Sequence, residues 1–181
     1  MLSQPPEHAD PRRLCEQGKR YEGRVALLGL PRLAPLLTST EGEAAFTLRF
    51  DQDDEGRSRI IGHVRADLQV TCQRCMGAMT LPVDAEFMLS PVSGPREAET
   101  LPAEYDPLLL EERLLNPIDL IEDELILAIP PAPRHPEAEC GVNLAEFRHE
   151  EDSAPIAEVE KDNPFAALQA LKRGPGKENP E

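Results

Sequence analysis

The sequence predicts an α+β fold: an antiparallel β-meander of about four main strands, covered by a helix, with a short C-terminal helix and a flexible acidic linker. Three features predict it. Residues 60–72 and 81–89 alternate apolar and polar side chains, as strands with one wet face do. NPIDLIEDELILAIP repeats apolar residues at helical spacing and then runs into prolines. Residues 145–162 are dense in acids and poor in apolar groups, which suits a linker.

Residues 1–18 are polar, with three prolines, and read as an N-terminal arm with a short helical turn near Cys15. In KRYEGRVALLG, Tyr21, Gly23, Val25 and Leu27 share one face of a first strand. LPRLAPLLTST, with two prolines, reads as a loop or short turn. GEAAFTLRFD sends Ala44, Phe46, Leu48 and Phe50 one way and Ala45, Thr47, Arg49 and Asp51 the other. QDDEG is a turn of acids and a glycine. From Ile60 to Cys72 the even positions are apolar and the odd ones polar, apart from Ile61. After CQRCMG the chain returns with Leu81, Val83, Ala85, Phe87 and Leu89 on one face. Pro82 has no N–H, so the strand must be an edge there, or the proline must take a non-bonded position.

A meander buries one face only, so something must cover it. Asn116 can cap a covering helix, Pro117 suits its first position, and Asp119 favours its positive end. Ile118, Ile121, Leu125 and Ala128 or Ile129 form the stripe, widened by Leu120 and Leu127; Pro130, Pro131 and Pro133 stop it. The core then spans residues 19–145. Residues 146–181 hold the acidic linker and a last helix in DNPFAALQALKRG, capped by Asn163, opened by Pro164, and striped by Phe165, Leu168 and Leu171. That helix is too short to stand alone in water and needs a docking surface.

Aromatics make up 4% of the chain and tryptophan is absent, so the core rests on aliphatics with Phe46, Phe50 and Phe87 as large fillers. The net charge of −15 is uneven. Residues 1–74 hold eleven basic and eleven acidic residues; residues 75–181 hold eight basic and twenty-three acidic. The second part repels nucleic acid and attracts basic protein. The balanced first part, with Arg12, Arg13, Lys19, Arg20, Arg24 and Arg32, is where RNA contact is conceivable. No apolar run reaches membrane-spanning length, and MLSQPPEHADPRRL lacks a hydrophobic signal segment. A cytoplasmic protein is expected, where paired thiols more often bind metal than form disulfides.

Four cysteines are present: Cys15, Cys72, Cys75 and Cys140. Cys72 and Cys75 form a C-x₂-C at a strand turn, as in half of a zinc ribbon, with Gly77 placed to relieve crowding at the sulfurs. His135 and Cys140 supply a second pair. Together they offer the tetrahedral thiolate and imidazole donors that zinc prefers. Such a clip would tie the sheet tip to the helix exit. The sixty residues between Cys75 and His135 exceed ribbon spacing. Plain reduced thiols, with Cys72 in the core, and a redox pair are the competing readings. Cys15 is read as a spectator, or as a fourth ligand in place of His135. Asp119, Glu122, Asp123 and Glu124 read as a solvated helix face rather than a carboxylate site. His8, His63 and His149 sit in polar contexts. No phosphate loop, GxSxG or HExxH occurs, so no catalytic residues are assigned.

CQRCMGAMTLPVDAEFMLSPV, IDLIEDELILAIPPAPRHPEAEC and NPFAALQALKRG together resemble the bacterial YceD family, the large ribosomal RNA subunit accumulation proteins. The resemblance runs over residues 19–173 and in the family's order. It rests on Cys72 and Cys75, the helix segment Glu122 to Pro130, His135 and Cys140, and the tail Asn163 to Lys172. It implies a non-enzymatic role in synthesis, processing or stability of large-subunit ribosomal RNA. The expected partner is a ribosomal or RNA-processing protein, with ribosomal RNA touched directly or indirectly, and neither a membrane nor a small-molecule substrate. The alternatives are a thiol redox protein using the C-x₂-C pair and a zinc-ribbon module that binds RNA; few aromatics and the negative charge weigh against the latter.

Overall fold

The computed structural model describes residues 5–110 and 114–142. The expected linker and C-terminal helix of residues 146–181, and His149, lie outside the described residues.

The elements are α1 (Pro11–Glu16), β1 (Arg20–Ala26), β2 (Glu43–Gln52), β3 (Ser58–Thr71), β4 (Ala78–Val92), α2 (Pro95–Ala98), β5 (Asp106–Leu109) and α3 (Pro117–Ala128). They build one sheet in the order β1-β2-β3-β4-β5. The first three pairings are antiparallel, which is the expected meander; β5 adds parallel to the end of β4, from Leu89 to Val92. The fifth strand makes the sheet mixed. A parallel partner needs a crossover of about a dozen residues, and the segment containing α2 supplies it.

Alternation places the core. In β3, Ile60, Gly62, Val64, Ala66, Leu68 and Val70 are all buried. Ala44, Phe46, Leu48 and Phe50 of β2 and Met79, Val83 and Phe87 of β4 join them. Phe87 pairs with Gly62 across the strands. Its ring occupies the space a side chain at 62 would need: a Cβ there would lie 1.9 Å from the ring. Counting down from the Cys72 N–H bonded to the Gly77 carbonyl, Pro82 faces Asp67 in a non-hydrogen-bonded pair. Since β5 covers only residues 89–92, β4 is an open edge at Pro82. Both conditions expected of that proline hold.

Three pieces cover the apolar face. The turn near Cys15 is α1, capped by Asp10, whose carboxylate accepts from the amides of Arg12 and Arg13; it buries Leu14 and Cys15. Leu27, expected on the first strand, instead opens a 3-10 turn, Leu27–Gly29, after β1 ends at Ala26; the proline-rich loop adds a second, Ala34–Leu36, and together they bury Leu27, Leu30 and Leu33. The third piece is α3, capped by the Asn116 side chain on the Ile118 amide.

Two side chains of α3 depart from the expected pattern. Leu127 is 76% exposed, and Glu122 is buried. Glu122 lies four residues after Ile118 and three before Leu125, so helical geometry sets it inside the apolar stripe. Its carboxylate accepts from the backbone amides of Arg32 and Leu33 at 2.6 and 3.0 Å, and from Arg32 Nε at 2.9 Å. Asp123 takes Arg32 Nη1 at 2.6 Å, and the Asp119 carbonyl takes Nη2. The acidic face of α3 is therefore a latch on the covering loop and not a carboxylate metal site.

Removing this latch leaves two amides without an acceptor. Glu122→Ala is expected to cost about 3 kcal/mol, whereas Asp123→Ala, an exposed pair, costs under about 1 kcal/mol. Urea unfolding of both variants measures the difference; equal losses would deny Glu122 its role.

Candidate metal centre

The β3–β4 ladder runs to the pair Thr71–Ala78, leaving residues 72–77 to turn the chain. Cys72 donates its N–H to the Gly77 carbonyl at 2.8 Å, and Met76 donates to the Cys72 carbonyl at 2.9 Å. The left-handed residue is Met76, with φ 59°. Gly77 does not have the role expected of it, since a Cβ there would make only an ordinary 3.5 Å contact with Cys75 Sγ.

Beyond α3, the prolines carry the chain to this turn. Gln73 N–H donates to the Pro133 carbonyl at 2.7 Å. His135 N–H points at Cys72 Sγ at 3.4 Å, and Arg74 Nη2 donates to the His135 carbonyl at 2.9 Å. A 3-10 turn, Glu137–Glu139, then brings Cys140 in, with Arg74 Nε 3.0 Å from its Sγ. The sixty residues that separate the pairs in sequence are thus closed in space. One donor atom from each of Cys72, Cys75, His135 and Cys140 lies within 4.8 Å of all the others, and this group could hold a metal ion.

The ring of His135 is oriented for such an ion. Nε2 lies 3.2 Å from the Ala78 carbonyl, which accepts only from a protonated nitrogen. The proton is thereby held on Nε2, and the Nδ1 lone pair faces the thiols, 3.4 Å from Cys75 Sγ.

Burial of Cys72 opposes ionisation, but the amides of Cys75, His135 and Arg74 outweigh it and pull the thiol down to about 5. The Val142 amide lowers Cys140; burial opposes this and the Arg74 guanidinium adds to the lowering. The Gly77 amide favours the Cys75 thiolate, yet burial and the neighbouring Cys72 and Cys140 sulfurs push that thiol up. His135 is raised by the Cys72 sulfur, against its own burial, with Cys140 assisting. The site collects negative charge around an imidazole, and a divalent cation resolves the repulsion.

Three sulfurs and one nitrogen are the donor set of a structural zinc. Bonds of about 2.0–2.3 Å place tetrahedral ligand atoms roughly 3.5–3.8 Å apart; the Cys75 Sγ–His135 Nδ1 separation of 3.4 Å is near that range, and the whole group lies within 4.8 Å. When bound, zinc supplies a four-armed cross-link with no open position for chemistry.

The other candidates do not join the group. Cys15 is buried, its Sγ 3.3 Å from the Arg59 carbonyl, and burial raises its pKa to about 11. It is a core residue and does not replace His135. His63 Nε2 pairs with Asp84 Oδ1 at 2.5 Å on the open sheet face.

A family model described as large ribosomal RNA subunit accumulation protein YceD matches residues 60–172. The chain belongs to the YceD family. All four donors lie within the matched span. A large ribosomal RNA subunit accumulation protein YceD from Haemophilus influenzae is 34% identical over 171 residues, 93% of this chain and 96% of the relative. By its name, the YceD family has a role in large ribosomal RNA subunit accumulation, and its members are named as accumulation factors rather than as enzymes. No solved structure matches the chain significantly.

The thiol environments order their reactivity. With a chelator present at pH 7, iodoacetamide is expected to modify half-exposed Cys140 before Cys75 and to spare Cys15, since the thiolate is the nucleophile. Peptide mass mapping against time checks the order, and early labelling of Cys15 would contradict its burial.

Proposed function

We propose that this chain is a non-enzymatic factor for the synthesis, processing or stability of large-subunit ribosomal RNA in the cytoplasm. In this reading a structural zinc held by Cys72, Cys75, His135 and Cys140 fixes its shape. The observation that carries the role is kinship with an accumulation protein over nearly the whole of both chains. The convergence of the four donors supports the zinc.

Several features support a non-catalytic role. A fully protein-ligated zinc leaves no coordination position for substrate. Several other ionisable groups among the described residues are tied into the fold. Glu122 serves the Arg32 loop, Asp84 takes His63 and Arg65, and Asp53 takes Arg57 and the Tyr105 hydroxyl. A thiol redox pair would share the lowered pKa of Cys72. However, Cys72 is fully buried, and His135 and Cys140 crowd it as co-ligands would.

The excess acidity of residues 75–181 favours a basic protein partner, either a ribosomal protein or an RNA-processing enzyme, with RNA reached through it. Residues 19–145 would form the core and carry most of that surplus, with 146–181 the acidic linker and short C-terminal helix. Among the described residues no helix is long and apolar enough to cross a membrane, and the reading involves neither a membrane nor a small-molecule substrate.

Depletion of the protein in growing cells is expected to lower mature large-subunit RNA relative to small-subunit RNA. An unchanged ratio, with normal subunit profiles, would remove the biological role. Purified chain is expected to carry one zinc. Cys72→Ser and Cys140→Ser should lose the metal and several degrees of thermal midpoint, and Cys15→Ser should keep the metal. Equal metal content in all three variants would remove the zinc.

A further inference from the structure

Arg74 stands between Cys72 and Cys75 in sequence, yet its side chain serves the opposite ligand arm. Nη2 donates to the carbonyl of His135 at 2.9 Å, and Nε lies 3.0 Å from the sulfur of Cys140. One contact is to the backbone of a ligand residue, and the other is to a ligand atom itself. A guanidinium is planar, so its donors keep a fixed spacing and direction. Satisfying both acceptors at once sets where Cys140 lies relative to His135. Among the described residues, the backbone holds Cys140 through few bonds: the 3-10 turn before it has the amide bond of Glu139 to Pro136, and the Val142 amide reaches its sulfur. Charge points the same way, because three thiolates and a neutral imidazole around a divalent ion leave one negative charge, which the guanidinium offsets.

We propose that Arg74 is the positioning residue of this centre: it holds Cys140 in the ligand set, so that a soft divalent ion meets three sulfurs rather than two. The inference rests on the zinc reading above and goes beyond it by giving one outer residue control of the ligand count. Such partners of ligands commonly change metal affinity by about 10–100-fold.

The test uses the full-length chain with zinc and cobalt(II) as probes, comparing R74Q, R74K and R134Q with the parent. Arg134 is exposed and adjoins His135, so R134Q removes the same charge from the ligand arm. R74Q is expected to surrender zinc to a chelator about 10–100-fold faster. Its cobalt form should lose about one third of the sulfur-to-metal charge-transfer intensity per bound ion, as three thiolates become two. R74K keeps the charge without the fork and should show the same loss of intensity, while R134Q keeps the parent spectrum. Parent-like release and intensity in R74Q, or equal losses in R134Q, overturn the positioning role. If circular dichroism shows R74Q unfolded, R74K decides, and a parent-like spectrum from it overturns the role. A parent chain that takes up neither metal removes the zinc reading itself. That outcome is distinct from one in which parent and R74Q bind alike.

Discussion

The structure depends on where α3 lies, and the Glu122 carboxylate fixes that. An apolar stripe alone lets a helix slide or rotate on a sheet, because one aliphatic contact replaces another at little cost. A buried carboxylate does not slide. It must keep its donors or bear the cost of burial without them. Here those donors are the amides of Arg32 and Leu33 together with the Arg32 guanidinium. The latch therefore sets the helix along its axis and about it. The described segment after Ala128, residues 129–142, inherits that setting, including the prolines that meet the turn between β3 and β4 at the Gln73–Pro133 bond. The ligand cluster lies at the far end of a positional chain that starts at a carboxylate.

Closing the loop between Cys75 and His135 costs conformational entropy, but that cost grows only slowly with length. A sixty-residue gap is then little worse than a twenty-residue one, provided the intervening chain folds. It does: β4, β5 and α3 lie between the pairs. The gap that argues against a ribbon site in the sequence is filled with structure. The two halves approach as parts of one core and not as ends of a free loop. A metal bound there would add to a fold already directed toward it, which is how ligand-linked stability accrues.

The sequence exposed whatever has a short period. Two-residue alternation placed β2, β3 and β4 and their inward faces, and Pro82 limited how β4 could pair. The helix was legible from its cap, its stripe and its stop. Two things were not. β5 has four residues and a proline, too few for alternation to register, and it is a strand only because the end of β4 lies beside it. The role of Glu122 was hidden because acids on a helix usually face water. Plotting the stripe would have set it among Ile118, Ile121 and Leu125, but its partners sit ninety residues earlier in a loop with no periodicity. At the centre, the four donor types and a clip between sheet tip and helix exit are legible in the sequence, and the sixty-residue gap is the feature that argues against them. Arg74 carries no such signal, because an arginine between two cysteines gives no sign of its target.

The charges of the open sheet face bear on how ribosomal RNA could be involved. Phosphate recognition needs cations that are free to exchange counterions for the backbone. Here, Arg24 faces Glu43, Arg49 and Arg59 share Asp51, and Arg65 and His63 share Asp84. The exposed pairs among them contribute little to stability. Together they weaken the field that a phosphate would feel, although Arg49 and Arg59 share a single carboxylate. Arg32, at the loop, is held by Glu122 and Asp123. Many cations of the first part are thus already held, several of them by carboxylates of the second part: Asp84, Glu97, Glu122 and Asp123. A phosphate backbone would have to break these pairs before gaining contacts of its own. A basic protein would need no such exchange, because the surplus carboxylates of the second part would attract it, and this is the physical ground for the proposed protein partner.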